Sequence, residues 1–443
     1  MKLQIQNNQS IDTPYKEKLL KTKIVNSIEE LQQFKTDWDK LVDISNATIY
    51  QKSYWLFNWW KHYHNPDADR MLILFFYDDE ILVGIAPLYI HEEKFFGKTI
   101  FKRLLFIGSE TLHGQTFGLF NDNSPSDYLE IICYPKYETR IFESFVNFLI
   151  NNKDLYDETI LTNLNDNNSS FKYLHEILKN CNLRFKFRKG EICPYIKTPS
   201  SFEDFLNSRT TSVKRRFTQS WKESGKLFKI KKSGSFEELQ IALRQIKELH
   251  QNKWNKTGYP GFFGDLRYER FLDEFINSCY NDDVIWCGVA YNNDKVIAGR
   301  LAFKYKGRLY DYLSGIDDTA FEAKRRPGLV LLMHMIKDSI DENIPVVDLL
   351  RGDEAYKKDF TNSFTTNWNL RIYKGNVNVR YIFVIFLLIL KFIKILIIRE
   401  TMLLKIWMKV YKMPLSIYKY SRNRFQSLVR KIKNFLKTKN QLQ

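Results

Sequence analysis

Between Arg308 and Lys357 the sequence gathers residue types suited to proton transfer and phosphate binding. RLYDYLSGI opens this segment as an alternating strand with Tyr310, Tyr312 and Ser314 on one face. The next loop brings Lys324, Arg325 and Arg326 up to Pro327 and Gly328, immediately before an apolar helix beginning near Leu329. Proline near a first turn and a glycine that permits close backbone approach give a helix N-terminus whose free amides suit a phosphate, with basic side chains beside it. The same residues would also serve simply to start a core helix, their cations solvated. PVVDLL then ends in Arg351, Asp353, Glu354, Tyr356 and Lys357. In α/β sheets such strand ends carry the site, next to a neighbouring helix N-terminus; the plainer alternative is a polar turn before a surface helix.

Further candidates are spread more widely. SVKRRFTQSWKESGK carries Lys214, Arg215, Arg216 and Lys222, which would guide an anionic substrate or form a solvated helix face. Lys253 and Trp254 in ELHQNKW, and Trp55, Trp59 and Trp60 in WLFNWW, would either contact substrate or pack in the core. The seven histidines form no HExxH or other ligand spacing and no serine sits in GxSxG, so neither a metal nor a serine nucleophile is expected.

Two strand-turn-strand patterns would position these groups. MLILFFY, Asp78 and Asp79, then ILVGIAPLYI form the first; VIWCGVAY, Asn292 to Asp294, then KVIAGRLAFKY repeat it, with Gly299 where the first copy has Gly84. Helical stretches flank both, so the layout is mixed α/β in two halves of one plan. The length, 443 residues, exceeds the ~250–300 at which a single core stops growing. Pro194, Pro199 and adjoining serines place the junction near 195–201. After its strands the first half offers only GSETLHGQTFGLFNDNSPSDYLEI, without a basic proline-glycine loop. It is therefore expected to lack a cofactor site and to shape the acceptor cleft.

Charge is concentrated at one end. Residues 376–443 hold 15 Lys or Arg and one acid, which accounts for 14 of the 17 net positive charges and leaves 3 elsewhere. A nearly neutral body lacks the global charge of a dedicated nucleic-acid binder. Within the tail, YIFVIFLLILKFIKILII (Tyr381–Ile398) is 18 residues interrupted only by Lys391 and Lys394, close to the ~20 that span a bilayer. Lying in the interface with both lysines snorkelling suits it at least as well, so residues 380–440 are expected on an anionic membrane surface, with packing against the body or a partner as the alternative. Five cysteines without a CxxC pair fit a reducing compartment, and residues 1–22 read as a polar leader without a secretory h-region.

Strand, basic glycine-containing loop, helix, strand and tyrosine, in that order, resemble the acyl-CoA site of the GNAT superfamily. WLFNWWKHY, IAPLYI, RLLFIG, SVKRRFTQSWKESGK, ELHQNKWNKTG, SGIDDTAFEAKRRPGLVLL and VDLLRGDEAYK, over roughly residues 45–375, are similar to the cellulose-biosynthesis-type, CelD-like acetyltransferases. Those in turn look related to the FemABX peptidyltransferases, which have two GNAT-like lobes. The resemblance implies an α/β fold of tandem GNAT-like lobes, at 23–197 and 198–375, followed by the helical tail at 376–443. It implies an N-acyltransferase in which acetyl-CoA is the acyl donor and Lys324, Arg325, Arg326, Pro327, Gly328 and Leu329 hold its pyrophosphate. Tyr356 would protonate the leaving thiolate, and Asp353 or Glu354, or else Asp311, would act as base. Lys214, Arg215, Trp254, Arg351 and Lys357 would contact substrate. The implied acceptor is an amine on a sugar or cell-surface polysaccharide precursor, at the cytoplasmic face of the cell membrane. RRPGLV departs from the glycine-rich Q/R-x-x-G-x-G/A loop usual in GNAT enzymes. A FemABX-like aminoacyl-tRNA donor is the alternative, and a non-catalytic scaffold of a polysaccharide assembly machine is another.

Overall fold

The computed structural model describes residues 19–95, 97–109, 124–257, 261–319 and 326–374. Residues 1–18 of the leader, Lys324, Arg325 and the tail expected to bind membrane lie outside them, while the leader's last two residues, Lys21 and Thr22, open the first strand. Among the described residues no helix is long and apolar enough to cross a membrane.

The first half runs β1 (Lys21–Val25), α1 (Ile28–Gln33), α2 (Lys35–Ile44), α3 (Ser53–Tyr63), β2 (Asp69–Asp78), β3 (Ile81–Phe95), β4 (Lys98–Phe106), β5 (Ile132–Cys133), α4 (Glu138–Asn151), β6 (Glu158–Asn165), α5 (Ser169–Lys179) and β7 (Arg184–Lys197). The second runs α6 (Phe202–Asn207), α7 (Thr211–Leu227), β8 (Lys229–Lys232), α8 (Phe236–Thr257), α9 (Leu266–Cys279), β9 (Ile285–Asn292), β10 (Lys295–Tyr305), β11 (Arg308–Ile316), α10 (Pro327–Asp341), β12 (Val346–Asp348), α11 (Lys357–Phe360) and β13 (Phe364–Tyr373). Both predicted hairpins form, as β2–β3 and β9–β10. Each has a two-residue turn whose first residue is left-handed, Asp79 at φ +52° and Asn293 at φ +53°, a region that Asp and Asn tolerate best after glycine.

Each lobe is an antiparallel meander (β1-β2-β3-β4 and β8-β9-β10-β11) that continues into one parallel neighbour, β6 or β12, through a crossover containing α4 or α10. The closing strands are exchanged. β13 pairs with β6 of the first lobe, while the end of β7 pairs with β12 of the second, so one sheet runs through both in the order β1-β2-β3-β4-β6-β13-β7-β12-β11-β10-β9-β8. The repeat is real, but its glycines are out of step. A Cβ on Gly84 would meet Ile141 of α4, and one on Gly299 would meet Ile246 of α8, so they face helices with different places in the two lobes. Strand side chains alternate faces, so glycines one register position apart look in opposite directions.

The tryptophans of α3 are core: Trp55 and Trp59 are 0% exposed and Trp60 is buried. Trp55 packs edge-on against Phe271 and Phe275 of α9, so α3 joins the lobes and presents no sugar platform.

Candidate active site

β11 and β12 pair in parallel only at Arg308/Val346, Leu309/Val347 and Tyr310/Asp348, and then part. Two local features accompany the parting. Asp311 and Leu313 face successive residues of β10, leaving Tyr312 as a bulge, which bends the strand and re-aims its side chains. On the other side Leu350 is left-handed at φ +54°, with its amide donating to Asp348 Oδ1 at 2.9 Å. Between the strands lies a cavity of about 210 Å³. β11 lines it with Asp311, Tyr312 and Ser314, the chain after β12 with Arg351, Glu354, Tyr356 and Lys357, and α9 with Tyr268; Ser124 and Asp127 come from the first lobe.

The innermost group is a buried ion pair. Arg300 on β10 and Asp311 on β11 each have side chains 4% exposed, and Arg300 Nη1 donates to Asp311 Oδ2. Arg300 Nη2 also donates to the Gly328 carbonyl at the start of α10, at 3.3 Å, and its guanidinium interacts electrostatically with the nearby Tyr356 hydroxyl. Burial opposes the charge on Arg300, but Asp311 and Tyr356 outweigh it, so the guanidinium holds its proton more tightly than in water. Burial likewise pushes the Tyr356 phenol up to about 12 although Arg300 pulls it down; it is a proton-bearing donor at neutral pH. Asp311 Oδ1 and Arg300 Nε are buried without a hydrogen-bond partner among the described residues, and Asp311 lines the cavity.

The remaining cations brace the walls. Arg351 is paired with Asp127, Nε to Oδ1 at 3.3 Å, and donates from Nη2 to the Ser124 carbonyl. Lys357 Nζ donates to the carbonyls of Leu350 (3.3 Å), Arg351 (2.8 Å) and Gly352 (3.4 Å), and pairs with Glu354 at 2.8 Å. Tyr128 donates to Asp348 Oδ1 at 2.8 Å, tying the first lobe to the end of β12. Tyr268 donates to Tyr312 at 3.2 Å, and Tyr312 to the Pro125 carbonyl at 3.0 Å.

The sequence candidates thus separate. Asp311, Arg351, Glu354, Tyr356 and Lys357 meet at the cavity, whereas Asp353 is exposed and off its wall. Arg326 is the exposed left-handed N-cap of α10, at φ +59°, while Pro327 and Gly328 are buried in its first turn and Leu329 is half-buried against the core. The Leu329 and Val330 amides both bond to the Arg326 carbonyl, at 3.0 and 3.1 Å, and proline has none. In that first turn, Gly328 is therefore the only amide without a carbonyl partner among the described residues. Lys214 and Arg215 are exposed on α7. Trp254 donates to His250 Nε2 at 3.0 Å, and neither lines the cavity. Sequence reasoning missed Arg300, Tyr268, Ser124 and Asp127. An arginine inside the apolar run VIAGRLAF was a usable signal for the first; the others are assembled by tertiary structure.

The first lobe parts in the same place and fills the gap. β4 and β6 pair from Arg103/Glu158 to Leu105/Ile160, and beyond them Ser126, 0% exposed, lies between the strand ends. Its carbonyl accepts from Asn163 Nδ2 at 3.2 Å, its Oγ accepts from Trp55 Nε1 at 2.8 Å, and Ser124 Oγ donates to the Gly108 carbonyl at 2.7 Å. Counted from the parallel pairings, Phe106 and Ala86 hold the places of Asp311 and Arg300.

The family model described as an acetyltransferase (GNAT) domain matches residues 210–358. No curated protein matches. Among solved structures, the chain is similar to FemX at 10% identity, covering 76% of this chain and 95% of that one with TM-score 0.50. L-PGS from Bacillus licheniformis is 8% identical, covering 81% and 95% with TM-score 0.45. A tandem GNAT protein from the clavulanic acid biosynthesis pathway is 7% identical, covering 81% and 100% with TM-score 0.40. The second lobe thus carries a GNAT-type acyltransferase domain within a mixed α/β, tandem-lobed fold, and the likeness to FemX is one of fold alone.

Proposed function

We propose that the protein is an acyl-CoA-dependent N-acyltransferase of the CelD-like type, with acetyl-CoA as donor, an amine of a sugar or cell-surface polysaccharide precursor as acceptor, and a single site in the second lobe. The observation that carries this reading is the unpartnered Oδ1 of Asp311 in the wall of the parted-strand cavity, near the Tyr356 phenol. A bound thioester supplies an activated acyl carbon to the amine. Asp311 Oδ1 would accept the amine proton as the carbon–nitrogen bond forms, and Tyr356 would give a proton to sulfur as the carbon–sulfur bond breaks. Glu354 is held by Lys357, and Asp353 faces solvent, so the base role goes to Asp311. The Gly328 amide and the Arg326 side chain would meet the donor's phosphates. Residues 380–440 would hold the enzyme at the inner face of the membrane.

The test is calorimetric titration of the full-length protein with acetyl-CoA, beside Arg326→Ala and Tyr356→Phe. Expected are weaker binding in the first, and in the second unchanged binding with amine-dependent thiol release slowed about 10²-fold or more. Absence of acetyl-CoA binding would sink the reading. A single first-turn amide of α10 without a carbonyl partner among the described residues favours the second reading, an aminoacyl-tRNA donor that places no pyrophosphate there.

A further inference from the structure

The cavity wall and the ion pair behind it contain three acids, Asp127, Asp311 and Glu354, and three bases, Arg300, Arg351 and Lys357, so net charge does not choose the ligand. Hydrogen-bonding capacity does. Arg351 is engaged by Asp127 and the Ser124 carbonyl, and Lys357 by three backbone carbonyls and Glu354. Arg300 stands behind Asp311, directed to it and to the Gly328 carbonyl. Asp311 carries an open acceptor on the wall: Oδ2 receives Arg300, while Oδ1, on a side chain 4% exposed, meets no donor among the described residues; the unpartnered Nε of Arg300 belongs to a residue that does not line the cavity. A ligand N–H at that oxygen satisfies a buried acceptor that is otherwise costly to leave open. A ligand carboxylate or phosphate would find Arg351 and Lys357 engaged, and would face the open carboxylate.

We propose that the site selects primary amines whose adjacent carbons carry no acidic group, the pattern of an amino alcohol or amino sugar, and rejects α-amino acids. This rests on the amine-acceptor reading above but concerns the acceptor alone. The cavity, about 210 Å³, lies below the ~300–1,000 Å³ of drug-sized ligand sites; it encloses the amine and its immediate substituents, and the rest of a larger acceptor stays outside. Arg300 gives the selection a chemical consequence. An ammonium at Oδ1 shares the carboxylate with the guanidinium at Oδ2, and a like charge that close favours loss of the ammonium proton. The acceptor would therefore bind as a cation, release one proton to solvent and become a neutral nucleophile in place, Asp311 Oδ1 taking the next proton only as the carbon–nitrogen bond forms.

Three small probes test this on the full-length protein without any donor: ethanolamine, serine, which adds only a carboxylate, and 1,2-ethanediol, which has no amine. Calorimetry is expected to give binding for ethanolamine, binding at least tenfold weaker for serine, and none for the diol. Asp311→Asn is expected to weaken ethanolamine at least tenfold. Equal binding of serine and ethanolamine, no ethanolamine binding, or undiminished affinity in Asp311→Asn would overturn the proposal. Should that variant not fold, a crystal of the wild type with ethanolamine decides: the nitrogen belongs within hydrogen-bond distance of Oδ1, and any other position overturns it. Loss of acetyl-CoA binding with the ethanolamine preference intact would count against the donor assignment and leave this selectivity standing.

Discussion

The two lobes open the same gap and use it in opposite ways. In each a parallel pair parts after three residue pairs, next to a left-handed residue, Asn163 at φ +58° in one and Leu350 at φ +54° in the other. In the first lobe the chain's own Ser124–Tyr128 segment enters the gap and bonds to β6 at Asn163 and to Gly108 just beyond β4. In the second the gap stays open, and the same segment forms part of its wall. The fold therefore supplies the opening twice, and residue chemistry decides whether it becomes core or site. Ala86 and Phe106 need nothing from a ligand; Arg300 and Asp311 leave a buried oxygen that does.

The sharpest way to break this comparison is to remove the carboxylate that distinguishes the lobes. Asp311→Asn keeps the shape and one oxygen but loses the base, and amine-dependent thiol release from acetyl-CoA should fall by about 10²–10⁴-fold in kcat/KM. Activity within tenfold of wild type would return the base role to another residue.

Stability tests the same pair. Arg300→Met leaves Asp311 buried without its counter-ion and should cost about 3–5 kcal/mol in denaturant unfolding. Arg300→Met combined with Asp311→Leu gives the second lobe an apolar pair, as Ala86 and Phe106 do in the first, and should recover most of that loss while remaining inactive. A double variant no more stable than the single one would show that the two gaps are not equivalent in packing.

The chain just beyond the filling segment has a cost of its own. Glu130, 2% exposed with Oε1 unpartnered among the described residues, is pushed up to about 8 by burial and then by Glu138, against the pull of Lys306. The folded protein keeps this proton to about pH 8, while a solvated glutamate releases it near 4.5. The stability this adds is complete below pH 4.5 and is lost as pH rises through 8. Glu130→Gln should flatten that decline, gaining on the order of 4 kcal/mol over wild type between pH 5 and 9. Parallel Tm-against-pH curves for the two proteins would contradict it.

Much of the scaffold could be read from sequence because its signals are local. Alternation and left-handed turn residues mark β2–β3 and β9–β10, and the proline-glycine start marks α10. The register between the copies could not be read this way, since one extra residue turns a strand over; hence Gly84 and Gly299 looked equivalent. At the site, Tyr356, Arg351 and Lys357 were visible as polar residues following an apolar strand. Their partners were not: Arg351 meets Ser124 across 227 positions and Tyr312 meets Pro125 across 187, separations with no periodicity to betray them. Charge without partners reads as substrate binding, whereas with partners Arg351 and Lys357 are braces.

The smallest expected effect belongs to Asp353, and it tests the comparison from the other side. The residue is exposed like Glu354 and Tyr356 in the same loop, yet unlike them it contributes nothing to the cavity wall. Surface substitutions without a buried partner usually stay within ±0.5 kcal/mol, so Asp353→Asn should change denaturant stability by no more than that and kcat/KM by less than about twofold. A tenfold loss would move the base out of the strand and into the loop. The difference between the lobes would then lie in the chain after β12, and the exchange of Phe106 for Asp311 would be a matter of packing.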